Sequence, residues 1–211
     1  MLTGGASRRM GRDKALLRVR GRSLAAVAAD ALADAGAIEV LLIGGDGAAL
    51  ADAAPGARPV ADQHPGEGPL GGILTAFDAV AATDAPADLV AVVACDMPRL
   101  DAGTIGALVE AATADPTLAV AAALVEGRPQ PLTAVWRPSQ AGAVLRAAFA
   151  AGERAPRRLL PKLALVGVEG LDDAVGDVDS PQDLARYADD LGHDPSRGSS
   201  GRDLLFPDEA L

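Results

Sequence analysis

Apolar positions along this chain fall into two rhythms, short runs of Val, Leu and Ile and longer stretches of Ala, Leu and Val at helical spacing. Ser23 to Gly36 predicts a helix, with Gly36 as its stop. Ile38 to Ile43 reads as a buried parallel strand, followed by a turn at Gly44-Gly45. Ala57 to Ala61 predicts a second short strand, closed by Asp62. Gln63 to Gly72 is a Gly/Pro-rich loop opening a helix over Leu70 to Ala82. Asp88 to Ala94 is the clearest strand, and it delivers Cys95-Asp96-Met97-Pro98 at its carboxyl end. A helix follows from Asp101. Leu118 to Val125 and Leu132 to Trp136 read as strands separated by a turn over Glu126-Gly127-Arg128-Pro129-Gln130-Pro131. A helix over Ser139 to Ala151, a short basic helix over Ala155 to Leu160 and a strand over Leu163 to Val168 complete the pattern. Ser180-Pro181-Gln182-Asp183 has the cap, proline and acid that start a last helix. Residues 193–211 are rich in Asp, Pro, Ser, Gly and Arg and read as a disordered tail. Residues 1–192 then form one domain. Strands alternating with helices predict an α/β fold with a largely parallel sheet. Ligands of such sheets bind outside the carboxyl ends of the strands.

Composition narrows the function classes. The chain has 211 residues, 49% of them hydrophobic but only 2% aromatic, so Ala, Val and Leu must fill the core. A formal charge of −10 argues against nucleic-acid and anionic-membrane binding. Seven of the 19 basic residues nevertheless precede Ser23, which places a local anion site at the basic end. One cysteine, Cys95, excludes an internal disulfide. With no charge-free apolar stretch of membrane length and no signal-peptide core, the sequence reads as soluble and cytoplasmic.

The candidate chemistry starts at Leu2-Thr3-Gly4-Gly5-Ala6-Ser7-Arg8-Arg9-Met10-Gly11-Arg12-Asp13-Lys14. Glycines let the backbone approach a ligand, successive N–H groups can converge on an anion, and the cations add charge-assisted bonds to phosphate. A solvated N-terminal arm is the alternative. Gly11-Arg12-Asp13-Lys14-Ala15 lacks the Ser or Thr of a Walker A loop, and Gly4-Gly5 with Gly11 lacks dinucleotide-fingerprint spacing. Asp96 at a strand tip can bind Mg²⁺ or cap the turn at Pro98. Asp62 can end its strand as an Asx turn or serve a ligand.

The first loop resembles the signature of nucleotidyltransferases with an NTP-transferase domain, and within them that of the molybdenum cofactor guanylyltransferases. Cys95-Asp96-Met97-Pro98 resembles their metal-binding Cys-Asp-x-Pro, and Gly66-Glu67-Gly68-Pro69-Leu70-Gly71-Gly72 their Pro-Gly-Pro-Leu-x-Gly segment. The resemblance implies a Rossmann-like three-layer sandwich and transfer of GMP from GTP to molybdenum-loaded molybdopterin. It implies nucleotide contacts from Leu2, Thr3, Gly4, Gly5, Lys14, Asp62, Gly68, Gly72 and Asp96. Lys14, Arg9 and Asp96 would be catalytic, and Asp96 would hold Mg²⁺. Gly176-Asp177-Val178-Asp179-Ser180-Pro181 departs from the family's Asn-Val-Asn-Thr-Pro. Asp179 is thus either a helix cap or a second metal contact. A family Asn maps to Gly44, so that contact is absent or replaced. Members also carry a hydrophobic strand ahead of the first loop, so the first strand is expected to be missing, with a start placed too late as the preferred explanation.

Several residues stay open. His64 has no partner at metal-ligand spacing and reads as a polar loop residue. Arg128, Gln130, Arg154, Arg157 and Arg158 are candidates for the acceptor's phosphate or members of a solvated surface. Cys95 reads as core. Expected partners are GTP, molybdopterin and molybdoenzyme-maturation proteins, with the chain a monomer or weak homo-oligomer. The rival readings are a cytidylyltransferase for molybdopterin or another phosphate acceptor, and a non-catalytic nucleotide-binding scaffold.

Overall fold

The computed structural model describes residues 1–4, 13–83, 87–176 and 183. The tail, the segment expected to start the last helix (Asp183 apart), Gly5, Arg9, Asp177 and Asp179 lie outside the described residues. A small hairpin of β1 (Arg18–Val19) and β2 (Arg22–Ser23) leads into α1 (Leu24–Asp34). Then come β3 (Leu41–Ile43), α2 (Gly47–Ala53), β4 (Arg58–Val60) and α3 (Pro69–Ala81). β5 (Val90–Val93), α4 (Ala102–Ala114), β6 (Val120–Val125), β7 (Arg128–Trp136), α5 (Pro138–Ala150) and β8 (Leu165–Val168) follow.

Local chemistry sets the helix starts. Side chains of Ser23, Asp46 and Asp101 accept backbone N–H groups at the heads of α1, α2 and α4, satisfying donors that have no intrahelical partner. Pro69 and Pro138 open α3 and α5, where a missing N–H costs nothing. The alanine-rich α2 is an element beyond those the sequence pattern predicts, and Asp46 caps it.

The strands give β3–β4 as a parallel pair and β5-β7-β6-β8 as a four-stranded sheet. One residue joins the two. Leu2 bridges Ile43 and Ala94, parallel to both. Its N–H donates to Val93 O at 2.9 Å, while Thr3 and Gly4 donate to Ile43 O and Ile43 donates to Met1 O. Met1 to Gly4 therefore stands where the first strand was expected to be missing. Only β7 runs against its neighbours in the joined sheet, so the described strands are mostly parallel, as expected.

Side-chain alternation builds the three layers. Leu41 and Ile43, Val90 and Val92, Val120 and Ala122, Ala134 and Trp136 pack beneath α3 and α5. Leu42 and Val93 point the other way, toward α1, α2 and α4. Ala121, Ala123 and Val135 meet Leu108 and Ala112 of α4 on that same side. Trp136, fully buried, is the largest side chain in this alanine-rich interior. It packs edge-on to Phe77, and its indole N–H donates to Pro131 O at 3.2 Å.

Three expected elements differ. The strand expected from Ile38 is confined to Leu41–Ile43, and Ile38 is 97% exposed. The bridging residue enters only at Ile43, and a cleft of about 920 Å³ opens beyond Met1 between Val40, Leu41, Val90 and Val92. The expected six-residue turn shrinks to Glu126-Gly127, both at positive φ (50° and 73°), with Arg128 to Pro131 inside β7. Its prolines are tolerated because the register shifts there, from Ala122↔Ala134 to Ala123↔Gln130. The expected basic helix is two 3₁₀ turns, Pro156–Arg158 and Leu160–Lys162, because Pro156 and Pro161 cannot donate to a continuing helix.

Trp136→Ala is expected to cost about 3–5 kcal/mol in urea unfolding, since the small neighbours cannot fill the void. The Met1 amine donates to Leu41 O at 2.8 Å, and burial pushes its pKa from 8.0 down to about 5. The folded state thus binds this proton more weakly than the unfolded state. With a free amine at Met1, stability is expected to rise with pH through that window, by up to about 4 kcal/mol, and to be lost as pH falls through it. Urea midpoints across that pH range check this; a flat profile refutes it.

Candidate active site

Three loop systems gather at the carboxyl ends of the parallel strands, where such folds bind ligands. The first is Thr3-Gly4. Thr3 is buried, and its hydroxyl lies 3.0 Å from Ile43 O and 2.8 Å from Gly44 O, tying this loop to the end of β3. Gly44 has φ 82°, and a Cβ on it would stand 3.0 Å from Gly4 Cα. Two backbones touch here because neither residue carries a side chain. Asp13 caps the 3₁₀ turn Lys14–Leu16 by accepting from Ala15 N–H, which starts Lys14 toward the strand ends.

The second system follows β5. Its direction places Asp96 two positions beyond the bridge at Ala94. Lys14 Nζ lies 3.5 Å from Asp96 Oδ2, with both side chains about one-fifth exposed. A closed charge-assisted bond would be about 2.7–2.9 Å. Cys95, beside Asp96, is buried, and burial pushes its thiol up to about 12. It is a core residue and no nucleophile, as its apolar setting in the sequence indicated.

Third comes the loop after β4. Asp62 Oδ1 accepts from His64 N–H at 2.9 Å, an Asx turn, and from Thr75 Oγ1 at 3.0 Å. Thr75 is fully buried on α3 and also accepts from Gln63 N–H. Nothing in the sequence marked it. Gly68, at φ 81°, caps α3. Leu2 and Gly72 lie behind the site: a Cβ on Gly72 would meet Leu2 Cδ2 at 3.1 Å, so their shared role is to let α3 approach the sheet.

Beside Asp96 is a cavity of about 380 Å³ lined by Gln130, Pro131, Thr133, Arg157 and Val175. The register shift in β7 forms one wall. Thr133 pairs with Val93 and lies 3.2 Å from Met97 Sδ, and Ala94 donates to Leu132 O. Of the five candidates for an acceptor's phosphate, Gln130 and Arg157 reach this cavity. Arg154 is committed to Glu67 at 2.6 Å, and Arg158 pairs with Glu153 at 3.5 Å. Arg128 starts β7 at the exposed hairpin. His64 stacks at 4.6 Å on Phe149 and has no part in a ligand cluster. Among the described residues no three His, Cys, Asp or Glu side chains could jointly cage a metal. A lone strand-end carboxylate fits Mg²⁺, which keeps several waters and takes phosphate oxygens as ligands. No described helix is long and apolar enough to cross a membrane.

Loops converge on a Lys–Asp pair at the carboxyl edge of this α/β sheet and form the candidate site. The chain belongs to the MobA-like NTP transferase domain family, whose model matches residues 1–166. A probable molybdenum cofactor guanylyltransferase of Opitutus terrae is 43% identical over 108 residues, 51% of this chain and 52% of that protein. The chain thus matches about half the length of that relative. A molybdenum cofactor guanylyltransferase of Rhodobacter capsulatus is 34% identical over 198 residues, 90% of this chain and 94% of that one. The fold is shared with molybdopterin-guanine dinucleotide biosynthesis protein A from Archaeoglobus fulgidus, at a TM-score of 0.71 and 23% identity over 90% of this chain and 96% of that one.

Native Cys95 is expected to react with a thiol reagent at pH 8 roughly 10²–10³-fold more slowly than in urea. Equal rates would refute its burial.

Proposed function

We propose that this chain transfers GMP from GTP to the phosphate of molybdenum-loaded molybdopterin. The observation that carries the reading is the Lys14–Asp96 pair, 3.5 Å apart beside the cavity walled by Gln130, Pro131 and Thr133. Binding alone would not need both a cation and a carboxylate at this strand end, which supports transfer over a scaffold. The relatives named above supply the acceptor.

In this reading an acceptor phosphate oxygen attacks the α-phosphorus of GTP. A new P–O bond forms, the bond to the bridging α,β oxygen breaks, and pyrophosphate carries away that electron pair. The protein supplies position and charge and forms no covalent intermediate. The backbone at Thr3-Gly4, with Gly5 and Arg9 from the same loop, holds the triphosphate. Lys14 offsets charge on the α-phosphate and leaving group. Asp62, held through Oδ1 by Thr75, contacts the nucleoside. Gly68, with no Cβ, lets the nucleoside lie against backbone. Arg157 and Gln130 hold the acceptor's phosphate, and Pro131 and Val175 give its ring system an apolar wall. Asp96 would hold Mg²⁺, with Asp179 as the candidate second carboxylate. That ion supplies Lewis-acid polarisation of phosphate oxygens when bound.

Pyrophosphate release with GTP, CTP, ATP and UTP, each with Mg²⁺ and molybdate-loaded molybdopterin, tests the reading. Turnover with GTP alone is expected, falling about 10²–10³-fold in Asp96→Asn and in Lys14→Met. CTP preference would shift the donor, and silence of the folded wild type with all four would overturn transfer.

A further inference from the structure

Two of the substrate walls share one joint. The cavity beside Asp96 is lined by Pro69 from the head of α3 and by Ala155, Pro156 and Arg157. The residue between these groups and the loop after β4 is Arg154. Its backbone O accepts from Leu70 N–H at 3.2 Å. A Cβ on Gly68 would meet both Cβ and O of Arg154 at 3.2 Å, so the two segments are packed backbone to backbone. Its guanidinium reaches past the joint to Glu67 at 2.6 Å and lies 4.1 Å from the Phe149 ring centroid. Arg154 Nη1 also donates to Phe149 O at 2.8 Å and to Glu153 O at 2.9 Å. Phe149 in turn holds the ring of His64, whose Cβ fills the space that a Cβ on Gly71 would need. His64, Glu67, Gly68 and Leu70 are therefore all fastened to one arginine and the ring beneath it. On the other side of the joint, the Glu153 carboxylate accepts from the N–H groups of Arg154 and Ala155, both at 2.9 Å.

We propose that Arg154 is a positioning residue that locks the nucleotide loop to the wall of the acceptor cavity, so that occupation of either subsite tightens the other. The inference rests on the nucleotidyl-transfer reading above. An ordered acceptor fixes Arg157 and Pro156, and the joint passes that order to Gly68 and Glu67. Binding free energies are reciprocal, so nucleotide tightens acceptor by the same factor. Arg154 touches neither reacting group.

The test is equilibrium binding of α,β-methylene-GTP with Mg²⁺, which cannot turn over, with and without molybdopterin. In wild type the acceptor is expected to tighten binding about 5-fold. In Glu67→Gln and in Arg154→Ala this enhancement falls below about 2-fold, while affinity without acceptor falls only about 2–3-fold, as for loss of an exposed ion pair. The double variant does no more than either single one. Unchanged enhancement in folded variants, or none in a wild type that turns over GTP, would overturn the joint and leave the transfer reading intact. A wild type that neither binds the analogue nor turns over would remove both. Should Arg154→Ala fail to fold, Glu67→Gln decides, because Glu67 is an exposed loop residue whose loss leaves the core untouched.

Discussion

The fold depends on a bridge one residue wide. Among the described strands, β3–β4 and the β5-β7-β6-β8 sheet are bridged through the backbone at Leu2, with Met1 and Thr3 completing the bonds on either side. The same few atoms serve two ends. Leu2 fills the space that Gly72 leaves open and so sets how closely α3 packs on the sheet, while Thr3 and Gly4, the next two residues, form the floor of the candidate site. Sheet closure and site assembly are one event in this molecule. The buried Met1 amine lies at that splice, where solvation of its charge competes with the sheet.

Small side chains make the close approaches possible. Ala121, Ala122 and Ala123 are completely buried in β6, and Gly4 meets Gly44 with no side chain between them. An interior of this kind gains little from any one residue and relies on close packing throughout. Trp136 is the exception. It supplies bulk beneath α3 and also a donor to Pro131, linking core packing to the wall of the cavity beside Asp96.

Much of this was legible because the signals were local. Helix starts at Ser23 and Asp101, the apolar run ending in Asp96, and glycines at Gly44 and Gly68 each depend on neighbours in the chain. The pairing of Lys14 with Asp96 was not visible as geometry, because it spans 82 positions and needs the sheet to exist. Thr75 gave no signal, since a threonine within a helix is ordinary until Asp62 comes against it. The sequence leaves Arg154 open between a phosphate ligand and a solvated surface residue, because its type fits both. Only the fold shows the guanidinium already held by Glu67 and Phe149. The prolines of β7 looked like a turn because a strand interior rarely tolerates them, and the register shift that admits them is a tertiary fact.

That register shift frees one edge of β7 while the other stays bound. Between Gln130 and Ala134 the chain leaves β6 and returns to it, and the residues released in between face Asp96. β7 keeps its register with β5 across this stretch, Val93 opposite Thr133, so the strand that delivers Asp96 is held while the wall departs from β6. Trp136, further along the same strand, anchors the departing segment to the interior through its bond to Pro131.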